Sequence, residues 1–78
     1  MQKWEYSYIL YTYKPSKLDL IQPNGQRTVV KADNVKSEDA VLLLNKLGSE
    51  GWEVVAFSEG GEKPETSFRS WTLKRPLA

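Results

Sequence analysis

Two carboxylates, Glu5 and Glu53, fall on segments expected to be neighbouring strands, close to Arg69 and Arg75. A carboxylate pair can act as acid and base when its surroundings separate the two pKa values. The same residues also make ordinary cross-strand ion pairs, worth about 0.2–1 kcal/mol each. With no cleft or nucleophile implied around them, the ion-pair reading is preferred. The chain has no cysteine and no histidine. That removes thiolate nucleophiles, disulfides, imidazole bases and the usual zinc ligands together. No catalytic residue, cofactor or metal ligand is assigned, and the chain is expected not to be an enzyme.

A second set of residues has binding chemistry. Tyr11, Tyr13 and Trp71 are stacking groups, and Lys14, Lys17, Arg27, Lys31, Arg69 and Arg75 are cations able to hold phosphates. Proteins that bind single-stranded nucleic acid combine the two. Strand alternation works against one shared surface, since Arg69 and Arg75 have the parity of Trp71, and no RNA-binding signature is present. An anionic ligand or single strand is therefore the second reading of this set. Gly60-Gly61 resembles a phosphate loop only in its glycines. Glu59 and Glu62 flank it and no helix follows, so it lacks a helix N-terminus for an anion and reads as a mobile connection.

These side chains must be held by a small scaffold. Seventy-eight residues make one domain, 1–78, near the lower limit for folding alone. With no covalent staples, association between copies is an expected source of support. No apolar run approaches the roughly 18 residues of a membrane span, and no signal segment opens the sequence, so a cytoplasmic setting is expected. The net charge is +1 but unevenly spread: residues 1–36 carry six basic and three acidic side chains, 37–65 carry two and seven, and 66–78 carry three and none. The expected strands are basic, whereas the helix and the connection after the next strand are acidic.

The tyrosine-rich stretch Lys3–Lys14 reads as a long first strand that stops at Pro15. Strands over about 17–22 and 26–32 flank Pro23-Asn24-Gly25, a type I turn with the glycine left-handed. The helix begins after Ser37, the expected N-cap, with Glu38 and Asp39 at its positive end. Ala40, Leu43, Leu44 and Leu47 follow the i, i+3, i+4, i+7 spacing of a buried stripe. Gly51 suits the left-handed position past the helix end, and Trp52 follows where it can cover Leu47. Trp52–Ser58 reads as a central strand and Ser67–Arg75 as the last, joined by the polar connection Glu59–Glu65. The fold class is α+β, with a mainly antiparallel sheet of three to five strands and one helix on one face.

The run LNKLGSEGWEVV, Leu44–Val55, resembles the signature of the bacterial domain of unknown function 4177. Leu44, Asn45, Leu47, Gly48, Glu50, Gly51, Trp52 and Glu53 carry the likeness. Trp4-Glu5-Tyr6 looks like that family's first strand and Leu73-Lys74-Arg75-Pro76 like its last. The segment between Pro15 and Asp33 departs from the pattern and reads as an added hairpin. The resemblance implies a fold and no catalytic residues.

On the first strand Trp4, Tyr6, Tyr8 and Leu10 alternate onto one face and are expected to meet the helix. The expected core joins them to Ala40, Leu43, Leu44, Leu47, Trp52, Val54 and Leu73. The opposite face then carries Ile9, Tyr11, Tyr13, Val55 and Phe57. One helix cannot cover both faces, and an uncovered apolar patch of that size marks an interface unless the 17–32 hairpin folds over it. The leading expectation is a non-enzymatic interaction module that forms a homo-oligomer or serves a protein partner. No membrane, metal or cofactor is expected.

Overall fold

The computed structural model describes residues 1–63 and 66–77. Pro64 and Glu65, part of the expected connection, lie outside the described residues. Among those described, the elements run β1 (Trp4–Tyr13), β2 (Ser16–Ile21), β3 (Arg27–Ala32), α1 (Ser37–Ser49), β4 (Glu53–Gly60) and β5 (Phe68–Pro76). All five strands join one antiparallel sheet in the order β3-β2-β1-β5-β4. The α+β class is as the sequence implies. No helix among the described residues is long and apolar enough to cross a membrane.

The tight β1–β2 turn passes through Pro15, after a cis Lys14–Pro15 peptide. In the β2–β3 turn Gly25 sits at φ +86°, donating its N–H to the Gln22 carbonyl over 2.8 Å. Asp33 and Asn34 then reverse the chain at φ 66° and 53°, a conformation their short polar side chains tolerate. The 17–32 segment therefore extends the sheet sideways and covers neither face.

The helix begins one residue earlier than expected: Lys36, not Ser37, is the N-cap. Asp39 makes the closure, its Oδ2 accepting the Lys36 N–H at 2.8 Å while its own N–H donates to the Lys36 carbonyl at 2.9 Å. These are the reciprocal bonds that satisfy donors otherwise left open at a helix start. The helix end is as the sequence predicts. Gly51 stands at φ +93°, its N–H donating to Gly48 and the Trp52 N–H to Leu47, both over 3.1 Å. This is the Schellman pattern, and the buried Trp52 shares the core with Leu47.

The core lies between α1 and the face of the sheet that carries Ile9, Tyr11, Leu18 and Leu73, closed by Val35, Ala40, Leu43, Leu47 and Trp52. The expected parity of β1 is thus reversed. Ile9 is 0% exposed and Tyr11 4%, so neither belongs to an open interface, and Tyr13 packs against the same core. Trp4 and Tyr6, expected inside, point to the other face. Register causes the reversal: Ser7 pairs with Leu73 and Ile9 with Trp71, which aligns the apolar side chains of β1 and β5 under the helix. Strand β4 is an outer strand rather than a central one. A bulge at Val55 puts Val54 opposite Leu73 and Ala56 opposite Thr72, so Val54 and Ala56 do not share a face. Val54 remains exposed, and Leu44 packs on the core margin instead of within it.

Candidate functional site

The uncovered face of the sheet is assembled mostly from even-numbered residues of its two central strands. Trp4, Tyr6, Tyr8 and Leu10 of β1 pair with Pro76, Lys74, Thr72 and Ser70 of β5. Residues directly opposite each other in an antiparallel pair share a face. β2 adds Ile21 and Asp19 beside Tyr8 and Leu10, and β4 adds Glu53, Ala56 and Ser58 beside Lys74, Thr72 and Ser70. Trp4 is 39% exposed and Tyr6 53%, while Tyr8, Leu10 and Ile21 are half-buried among their neighbours. The Lys74 ammonium lies 4.0 Å from the centre of the Trp4 ring, a cation–π contact. The face offers aromatic area and side-chain hydroxyls for binding.

Asp19 is the polar centre of its β2–β3 end. Its carboxylate is almost fully buried, with Lys17 Nζ at 3.8 Å and Arg27 Nη1 at 3.7 Å from Oδ2. The side chains of Lys17 and Arg27 fold towards it and occupy the ground a phosphate would need. The other cations expected to hold an anion are committed in the same way, but on the helix side of the sheet. Lys31 Nζ is 3.1 Å from Asp39, Arg69 Nε is 3.6 Å from Glu59, and Arg75 Nε is 2.8 Å from Glu5. Arg75 also lies 4.5 Å over the Trp52 ring and donates to the Glu50 carbonyl at 3.2 Å, locking the end of the helix to the sheet. Lys14 is exposed at the β1–β2 turn. Five of the six cations are therefore split between two faces, with Lys14 apart at the turn, and their aromatic partners are not free. Tyr11 is core, Tyr13 lies under Arg69 at 5.9 Å, and Trp71 packs on Phe57 with centroids 5.5 Å apart.

The carboxylate pair also separates. Glu5 pairs with Arg75 on the helix side, whereas Glu53 pairs with Lys74 on the open side. Gly60 ends β4 opposite Phe68 instead of opening a loop. Of the residues expected to form an interface, Val55 and Phe57 are exposed. Val55 is the unpaired residue of the bulge, and Phe57 lies on the helix side beyond the reach of α1.

Two perturbed groups bound the helix side. Burial raises the Tyr11 phenol above its ordinary value, with the neighbouring Tyr13 adding to the effect. Asp39 is lowered, first by the Lys36 N–H and then by Lys31. Both belong to the scaffold that fixes the helix. Among the described residues no group of three or more Asp or Glu could hold a metal ion.

The open face was hidden in plain alternation: Trp4, Tyr6, Tyr8 and Leu10 were legible as one surface, but not as the outer one. No protein-family model matches the chain, and the curated proteins contain no match to it.

Proposed function

We propose that this chain is a non-enzymatic interaction module whose open sheet face packs against a second copy. One observation carries the reading: α1 covers the middle of one side of the five-stranded sheet, and the other side leaves Trp4 and Tyr6 exposed in a band with Tyr8, Leu10 and Ile21. Sheets readily bury such faces on one another. Glu53 and Lys74 stand side by side on this face, so a two-fold copy can set each charge against its opposite. The gain is greatest for a chain this small, which has little core of its own.

An anion-binding role is the weaker reading, because five of the six cations it needs are paired with carboxylates, on both faces. The proposal takes the chain as a relative of the domain of unknown function 4177. Its support is that the shared residues Leu47, Gly51 and Trp52 build the joint between helix and strand. A cytoplasmic setting is part of the same proposal.

Sedimentation velocity over a concentration series tests it. The expected result is an assembly larger than the monomer whose size falls in Tyr6→Arg. A monomer at every concentration, or an assembly indifferent to Tyr6→Arg, overturns it.

A further inference from the structure

The two outer strands carry charges of opposite sign. Arg27–Ala32 of β3 has two basic residues and no acidic one, while Glu53–Gly60 of β4 has two acidic residues and no basic one. Both are exposed along their whole length. An outer strand presents unpaired backbone groups to any strand that can approach it. Here two β3 edges repel each other, as do two β4 edges, and only β3 against β4 joins unlike charges.

The geometry agrees with the charges. Four antiparallel steps separate β3 from β4, so the two run in the same direction. A second copy placed in line therefore brings its β4 parallel to β3 of the first, with both helices on one side. The rows of the sheet then continue from copy to copy. Lys31, Leu18, Tyr11, Arg69 and Glu59 form one such row, and Thr28, Leu20, Ile9, Trp71 and Phe57 another. Lys31 and Glu59 thus stand at opposite ends of one row, on the helix side.

Beside β3 on that side is a groove of about 290 Å³ between the strand and α1. Val30, Leu42 and Leu43 line it, with Lys31, Lys46 and the Lys31-bound Asp39 around them. Leu42 is 66% exposed in this position, and at the other edge Phe57 is 51% exposed.

We propose that copies of this chain join edge to edge, with β4 of one laid along β3 of the next, its Phe57 in the groove and its Glu59 against Lys31 and Lys46. The joint is head-to-tail, so it propagates into a ring or a filament. It rests on the self-association in the functional reading above but uses other residues, and it leaves the open face free. The bonds Lys31 makes to Asp39 and Glu59 makes to Arg69 are exposed pairs that rearrange at little cost.

The test uses the full chain in a Tyr6→Arg background, which removes the face contact. Sedimentation should still show concentration-dependent assembly, weakened by salt. Adding Leu42→Glu, at a helix position that is mostly exposed and outside the core, should give monomer. Phe57→Glu should do the same, and Glu59→Lys replaces it if Phe57→Glu folds poorly. Mixing the groove variant with the β4 variant should yield a heterodimer and nothing larger, since each retains the half that the other lacks. Assembly that survives the edge variants, or a mixture that stays monomeric, overturns the proposal. A Tyr6→Arg chain that is monomeric while the parent associates overturns the edge joint and leaves the face reading standing. A parent that never associates overturns both.

Discussion

The Tyr11 hydroxyl donates to the Val35 carbonyl over 2.9 Å, tying the last part of the central strand to the segment just before the helix. The two are twenty-four positions apart in the chain, so this bond closes the whole β2–β3 excursion. It also gives a buried phenol its partner, without which burial would be costly.

Tyr11→Phe should cost about 1–3 kcal/mol, because the buried Val35 carbonyl loses its donor while the ring still packs. The sign of the pH effect follows from the raised pKa. The native state favours the neutral phenol, so this stabilisation is full below the ordinary value of 10.0 and is lost as pH rises through the native one. Urea unfolding on the alkaline side should fall more steeply for the parent than for Tyr11→Phe.

Gly51→Ala should destabilise by about 1–2 kcal/mol, the cost of a left-handed backbone for a residue with a Cβ. Beyond the adjoining residues, no atom lies within 4 Å of the position that Cβ would take, so the loss is conformational and not a clash with the rest of the fold. Gly51→Asn should recover part of it, since asparagine accepts this conformation better. Thermal melting of the three proteins checks the order.

Asp39 sets an acid limit. Its pKa is depressed by the Lys36 N–H and by Lys31, so its contribution is complete above its unfolded value near 3.8 and disappears as pH falls through the native one. Asp39→Asn should flatten the acid side of the stability profile. A profile unchanged by the substitution would remove Asp39 as its source.

Much of this fold was legible because its signals are local. The helix stop needs only Gly51 and Trp52, and the β2–β3 turn needs only Pro23, Asn24 and Gly25. The face of β1 was not legible, because both of its faces are apolar and the choice depends on register with β5. The pairing of Ser7 with Leu73 puts a small side chain and an aliphatic one under the helix, and nothing within β1 encodes that. Large aromatics at Trp4 and Tyr6 suggested burial, yet they lie where a second layer would have to be supplied. The bulges escaped for the same reason: Val30 and Val55 look like any strand valine until the neighbouring strand is known.

The three tryptophans have fallen into three settings: Trp4 on the open face under Lys74, Trp52 sealed beneath the helix end, and Trp71 against Phe57 towards the β4 edge. The molecule therefore carries its own set of optical probes. Quenching of Trp4 reports contact at the face, a shift in Trp71 emission reports contact at the edge, and Trp52 stays silent until the core itself opens.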